Sequence, residues 1–292
     1  MKVDADRQQW TVLELLKVTE QYLSEKKVDS PRVAAELLLG HLLGMKRIQL
    51  YVEYDRPVTL EEKVQLREYV RRAAQQEPLQ YITGETDFYD FTLAVAPGVL
   101  IPRPETEGLV ELVLQELEAE TPRRLLDMGT GSGCIAIALA RHLPETTRIT
   151  ALDNSPRAIA QAQLNIGTHN LQHHIELMTA SAFELPEKQS WDVIVSNPPY
   201  IAEDERDTLL ENVLAYEPET ALFDGGDGLS FYRLLSEKPP LLDDGVVFCE
   251  LPAPAAEKVE QLFRRSFEEV TVKPDLAGRT RYLIAREWRD KL

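Results

Sequence analysis

A doubly wound α/β domain, preceded by a small all-helical domain, is the architecture predicted by this 292-residue sequence. Three observations carry it. Residues 1–80 show only the apolar spacing of helices. A stretch of two-residue alternation follows, within a linker at 81–100. From 101 to 292, β-branched apolar runs alternate with helical ones, as in a mostly parallel sheet covered by helices on both faces. Apolar residues make up 43% of the chain, enough for a core in each part. No run approaches the ~18 consecutive apolar residues that a membrane span needs.

The helical domain is legible from its caps. Thr11 and Glu14 form a capping box ahead of Leu15, Leu16, Tyr22 and Leu23 at helical spacing. Ser30 as N-cap, Pro31 at the first helical position and Gly44 as a stop bracket a second helix. Thr59 and Glu62 open a third. The pairs Lys26-Lys27, Lys46-Arg47 and Arg71-Arg72 read as solvated faces, and no residue pattern here is catalytic. Residues 86–96, within "TDFYDFTLAVAPG", alternate as a β-hairpin does and mark the joint between the domains. The strands expected beyond it are "RRLLDM" (123–128), "RITALD" (148–153), "IELMT" (175–179), "WDVIVS" (191–196), "GVVFCEL" (245–251), "VTVKPDL" (270–276) and "RYLIAR" (281–286). "GCIAIALARHL" and "SPRAIAQAQLNIG" are helices between the early ones.

The net charge of −17 is unevenly spread. Residues 1–85 hold 13 basic against 14 acidic residues, and the remainder 19 against 35. The second part would repel a phosphate backbone, which argues against direct nucleic-acid binding. It suits a basic protein partner or simple solubility. Cys134 and Cys249 each lie in an apolar run, as buried free thiols of a reducing compartment do. The first ten residues lack the apolar stretch of a signal peptide, so a cytoplasmic protein with no membrane association is expected. His169 and His173 have i,i+4 spacing at a helix end, but no cysteine or carboxylate set completes a metal site with them.

In doubly wound sheets ligands bind beyond the C-terminal ends of the strands. The first such end reads "DMGTGSG", residues 127–133. Gly129, Gly131 and Gly133 allow a tight turn and close approach to a ligand, and the helix that follows presents its N-terminal amides. Two cofactors fit this loop. Gly131, Gly133 and Ala136 satisfy the dinucleotide pattern G-x-G-x-x-G/A. The glycines also read as G-x-G-x-G with Asp127 two residues ahead, the pattern of S-adenosylmethionine (SAM) methyltransferases. Asp153, at the second strand end, can accept hydrogen bonds from the ribose of either.

The fourth strand end discriminates between them. "VSNPPY", residues 195–200, follows a β-branched run with an asparagine, two prolines and an aromatic. A residue before proline is held extended, so Asn197 stands at the strand tip. Pro198 and Pro199 have fixed φ and no N–H. The turn therefore offers acceptors on a stiff frame, with few donors of its own. Such a site suits a planar –NH₂ group, whose two N–H bonds it can accept while the nitrogen lone pair attacks. Tyr200 can cover the planar group. Hydride transfer to a dinucleotide needs no such site.

"NPPY" together with "DMGTGSG" resembles the amino-methylating SAM-dependent methyltransferases. More closely, the chain resembles the HemK/PrmC family, the peptide chain release factor glutamine N5-methyltransferases. The resemblance runs almost end to end, through "EPLQYITG" (77–84), "LIPRPETE" (100–107), "LLDMGTGSG" (125–133), "VSNPPYI" (195–201), "YEPETAL" (216–222), "GGDGL" (225–229) and "DLAGRTR" (275–281). "NPPY" alone is shared with DNA adenine and some RNA methyltransferases, and the full set is far more specific.

The resemblance implies a class I SAM-methyltransferase (Rossmann-like) sheet. It implies methyl transfer from SAM to a glutamine side-chain amide of release factors, with S-adenosylhomocysteine as product and no metal. It places Gly129, Thr130, Gly131, Ser132 and Gly133 against the methionine end of SAM and Asp153 on the ribose. It puts Asn197, Pro198, Pro199 and Tyr200 around the glutamine amide, with Asn197 catalytic and also touching the cofactor. Ser181, Ala182 and Phe183 fall at the adenine, where many members have an acidic and then a bulky residue. Where many members have Glu-x-Gly, Glu250 is followed by "LPAP". Arg103 and Glu105 either fix the cofactor or lock the domain joint. The helical domain would recognise the protein substrate, and the enzyme is expected to act as a monomer. Methylation of adenine or guanine amino groups in DNA or RNA is the alternative, opposed by the acidic second part.

Overall fold

The computed structural model describes residues 10–117, 123–185 and 190–289, so the segment read for a signal peptide lies outside it up to residue 9. The chain divides into two compact units, residues 1–85 and 86–292.

The first unit contains β1 (Trp10–Thr11), α1 (Val12–Glu25), α2 (Pro31–Leu43), α3 (Arg47–Val52), β2 (Pro57–Val58), α4 (Leu60–Ala73) and α5 (Leu79–Thr83). Both capping boxes form. Thr11 Oγ1 accepts from Glu14 N while Glu14 accepts from Thr11 N, and Thr59 and Glu62 repeat the exchange. Leu15, Leu16, Leu23, Leu38, Leu39, Leu66 and Val70 fill the core. Ser30 departs from expectation. It sits before Pro31 but in the left-handed region (φ 46°), and its side chain makes no capping bond. The all-helical reading also misses a two-residue antiparallel ladder, Trp10 against Val58 and Thr11 against Pro57. Two residues are too few for alternation to register in sequence. Nor are the basic pairs all merely solvated: Arg47 meets the buried Glu36, and Arg72 meets Glu77 and the Tyr81 carbonyl.

The hairpin consists of β3 (Glu85–Phe88) and β4 (Phe91–Ala94). Phe88, Phe91 and Leu93 are buried in the core of the second unit. Then follow α6 (Pro104–Glu116), β5 (Arg124–Met128), α7 (Cys134–His142), β6 (Arg148–Asp153), α8 (Pro156–Thr168), β7 (Ile175–Thr179) and β8 (Trp191–Ser196). After these come α9 (Glu211–Tyr216), α10 (Glu219–Leu222), α11 (Ser230–Glu237), β9 (Leu241–Glu250), α12 (Ala256–Phe263), β10 (Phe267–Pro274) and β11 (Thr280–Trp288).

Seven strands form one sheet in the order β10-β11-β9-β8-β5-β6-β7. β9, β8, β5, β6 and β7 are parallel, and β11 runs antiparallel to both its neighbours. β9 starts four residues before the expected "GVVFCEL", and β10 three before "VTVKPDL". The central strands are buried on both faces, which is why they read as largely apolar runs rather than alternating ones. Leu125, Val195 and Phe248 pack with α6, α7 and α8 on one face. Leu126, Ile194 and Val247 pack with Tyr232, Leu235, Val259 and Phe263 of α11 and α12 on the other. The register pairs Met128 with Ser196 and Ser196 with Cys249, so three strands end level with one another. Both cysteines are free and buried. Among the described residues no helix is long and apolar enough to cross a membrane.

Candidate functional site

One cleft opens at these level strand ends. Gly129, Thr130, Gly131 and Ser132 line it after β5, Asp153 at the end of β6, Ser181, Ala182 and Phe183 after β7, and Asn197 and Pro199 after β8. Its shape begins with the glycine loop. Gly129 N and Thr130 N both donate to the Leu152 carbonyl, which ties the loop to the end of β6. Gly129 and Gly131 have φ of 79° and 55°, and a Cβ on either would stand in open space. Gly133 does not line the cleft. A Cβ there would meet Ala162 at 3.3 Å, so the third glycine serves the packing of α7 against α8. Asn165 of α8 completes the frame by donating to the Ser132 and Ala94 carbonyls while accepting from Ala94 N.

Two carboxylates brace the loop. Asp127 is fully buried. Its Oδ2 accepts from Thr130 Oγ1 at 2.6 Å and Ala136 N at 3.1 Å, whereas its Oδ1 has no partner among the described residues. Burial pushes its carboxyl up to about 7. Asp153 accepts from Gly131 N at 3.0 Å and Ser155 N at 2.9 Å. Burial raises its carboxyl as well, against the pull of those amides. The cap of α8 is the Ser155 hydroxyl, which accepts from Ala158 N. Beyond β7, the half-exposed Phe183 meets Phe231 edge to face, with centroids 4.9 Å apart, at the cleft.

The "NPPY" turn begins where β8 loses its last paired residue, so the prolines cost the sheet no hydrogen bond. Pro198 is buried. Tyr200 lines a second cavity together with Ile201, Gly228, Pro252, Lys258 and Arg281, so the turn borders both. The "YEPETAL" and "GGDGL" stretches hold it there. Ile201 N donates to the Leu222 carbonyl and Glu203 N to the Gly226 carbonyl. Gly228 has φ 79°, and a Cβ on it would come within 2.5 Å of the Tyr200 carbonyl oxygen, so only glycine fits.

Asn197 itself is held from α6. Its Nδ2 donates to Thr106 Oγ1 at 3.0 Å, and that hydroxyl donates to Glu250 Oε2 at 2.8 Å. Thr106 is kept in place by the Tyr282 hydroxyl, which donates to the Glu105 carbonyl at 2.7 Å across Gly108. Glu250 is 2% exposed. Burial pushes its carboxyl up to about 7, although the Thr106 hydroxyl, Arg281 and Arg103 all favour the charge. A carboxyl raised in the folded state contributes stability below its ordinary pKa, and that stability is lost as pH rises through the folded value. Glu250→Gln is therefore expected to be more stable than the parent at about pH 8, by on the order of 1–3 kcal/mol, and to match it near pH 4, below the ordinary carboxyl value. Denaturant melts at the two pH values check this, and an equal difference at both would show that the group does not titrate in this range.

Arg103 also lines the cleft and donates to the buried Glu217 at 2.6 Å, which secures the "YEPETAL" segment to the cleft wall. Glu105 faces Arg279 at 3.7 Å. Both pairs lie inside the second unit. Leu100, Thr106, Pro218, Ala221 and Phe231 are cleft residues that sequence reasoning did not assign. All but Phe231 lie within stretches already quoted, "LIPRPETE" and "YEPETAL". No local pattern told which of those side chains face inward.

Residues 14–84 match the family model described as the PrmC N-terminal domain, and residues 103–250 match the methyltransferase small domain. The release factor glutamine methyltransferase of Chlorobaculum tepidum is 44% identical over 278 residues, covering 91% of this chain and 94% of that one. The protein of the same name from Geobacter sulfurreducens is 42% identical over 259 residues, covering 88% and 89%. Among solved structures, the T. thermophilus 16S rRNA N2 methyltransferase RsmC, in complex with AdoMet and guanosine, superposes with a TM-score of 0.51 at 20% identity. It covers 68% of this chain and 47% of that one, a likeness of fold. With its helical first unit, its class I methyltransferase sheet and relatives matched along nearly their whole length, the chain belongs to the release factor glutamine methyltransferase family.

Proposed function

We infer that the protein transfers the methyl group of SAM to the side-chain amide nitrogen of a glutamine in peptide chain release factors. The observation that carries this reading is the shared cleft: an asparagine amide clamped from behind stands in the same opening as the glycine loop and Asp153. SAM fits the residues present. The open space over Gly129 and Gly131 admits its methionine end, and Asp127 Oδ1, without a partner among the described residues, lies behind that loop. Asp153 accepts from the ribose, and Ala182, Phe183 and Phe231 cover the adenine. Bound there, SAM supplies an electrophilic sulfonium methyl.

The chain's own residues do the orienting. Asn197 Oδ1 accepts an N–H of the substrate amide and helps aim the nitrogen. Pro198 and Pro199 keep the turn stiff, and Tyr200 covers the amide from the second cavity. The nitrogen can lose its proton after it has become positive, so no side chain has to act as a base first. Orientation of this kind can contribute on the order of 7–11 kcal/mol. The flanking release-factor polypeptide would occupy the cavity bounded by Tyr200, Lys258 and Arg281, and the helical unit would dock the rest of that protein.

The test is direct. With SAM carrying a labelled methyl group, label is expected at one glutamine of a release factor and not in DNA or ribosomal RNA, as read by mass spectrometry. Label confined to nucleic acid would transfer the assignment to nucleobase amino groups. Tighter calorimetric binding of NAD than of SAM would overturn the cofactor.

A further inference from the structure

Glu250 and Thr106 belong to no strand-end loop that touches a ligand in the reading above, yet they form a buried chain that ends on Asn197. A threonine hydroxyl has one proton. The Thr106 hydroxyl lies 2.8 Å from a carboxylate oxygen, which in its ionised form can only accept. The proton therefore points to Glu250, and the hydroxyl oxygen is left to accept. Its other neighbour, the Asn197 amide at 3.0 Å, must then present Nδ2 and not Oδ1. The two ends of an amide cannot be told apart by shape, so charge at Glu250 is what selects between the two orientations.

We propose that Thr106 and Glu250 are positioning residues for methyl transfer: the buried carboxylate takes the hydroxyl proton, the hydroxyl oxygen holds Asn197 Nδ2, and Asn197 is thereby made to offer its Oδ1 to the substrate amide. The proposal rests on the reading that Asn197 receives an amide. The reverse orientation would set one –NH₂ against another and leave the substrate nitrogen unaimed.

A dependence on pH follows. A protonated Glu250 can donate to Thr106 Oγ1, which frees the threonine proton for Asn197 Oδ1 and favours the wrong orientation. Burial places this change at about 7. The charged and titratable groups around Glu250 are Arg103 and Glu105 at the start of α6, Arg281 and Tyr282 on β11, Tyr200 on the turn and Tyr232 on α11. The tyrosines stay neutral through this range because burial raises each of them. Transfer is thus expected to fall as pH drops through about 7, the side on which Glu250 gains its proton.

Three variants of the full-length protein test this: Thr106→Val, which keeps the shape without the hydroxyl, Thr106→Ser, which restores it, and Glu250→Gln. For transfer to an intact release factor, Thr106→Val should lose about 10–100-fold in kcat with KM and S-adenosylhomocysteine affinity within about threefold, while Thr106→Ser stays near the parent. With SAM saturating, the acid limb of the parent's kcat profile should be reduced in Glu250→Gln, any remainder belonging to Asp127, whose carboxyl burial also raises to about 7. Exchange of the Asn197 side-chain amide protons, followed by NMR without substrate, should be slow in the parent and Thr106→Ser and fast in Thr106→Val. Parent-like exchange or parent-like kcat in Thr106→Val, or an unchanged acid limb in Glu250→Gln, would overturn the proposal. The exchange measurement still decides the Thr106–Asn197 link if release factors prove not to be the substrate, so the two failures are separable.

Discussion

Asn197→Ala is expected to lower kcat by on the order of 10²–10³-fold, the usual cost of deleting one preorganised polar group that faces developing charge. SAM affinity should change only modestly if, as proposed, the glycine loop and Asp153 on the opposite wall of the cleft carry the cofactor. Affinity for the intact release factor should also hold if, as proposed, the helical unit supplies its main docking surface. The loss then falls on kcat, as it does for an interaction made chiefly in the transition state.

Asn197→Asp is the sharper variant. It keeps size and acceptor oxygens but sets a second carboxylate against the Thr106 hydroxyl, which already gives its single proton to Glu250. The new charge should hold cationic SAM equally well or more tightly, while the amide it must orient is misaligned. Slow transfer with undiminished SAM binding is expected, measured by single-turnover kinetics and calorimetry. Near-parental rates in both variants would reduce the "NPPY" stretch to a turn.

Asp153→Ala is expected to weaken SAM binding by on the order of 10²-fold, the equivalent of about 3 kcal/mol. Two losses combine. The ribose hydroxyls lose a charged acceptor, and such bonds contribute about 1.5–3 kcal/mol each. Gly131 N and Ser155 N also lose theirs, so the glycine loop and the entry to α8 are no longer held in the cofactor-ready shape. Asp153→Asn separates the effects. Its single carbonyl oxygen can keep one brace, but its –NH₂ opposes the other, so intermediate affinity is expected. Calorimetry with SAM and S-adenosylhomocysteine decides it, and a loss below about threefold for the alanine variant would remove Asp153 from the ribose.

Much of the candidate cleft is legible in the sequence alone. The apolar runs at 193–195 of β8 and 246–249 of β9 are unbroken because both faces of the sheet are covered, and "DMGTGSG" and "NPPY" name their own backbone constraints. Capping boxes at Thr11 and Thr59 involve residues three apart and could hardly be misread. Ser30 could be, since its left-handed backbone before Pro31 depends on how the α1–α2 connection turns. The hairpin at 85–94 alternates as expected, yet alternation does not say which unit its apolar face will join. Phe88 and Leu93 settle that by burial beside α7 and α8.

Read alone, the chain specifies which loops can approach a ligand, because glycine, proline and strand patterns act over a few residues and leave local signatures. Packing settles how distant residues alter one another. Glu250 and Thr106 lie 144 positions apart, and Thr106 and Asn197 lie 91 apart. In sequence Glu250 is an ordinary carboxylate. It becomes a buried acceptor with a raised pKa only because β9 and the start of α6 are packed together and exclude the water that would otherwise solvate its charge.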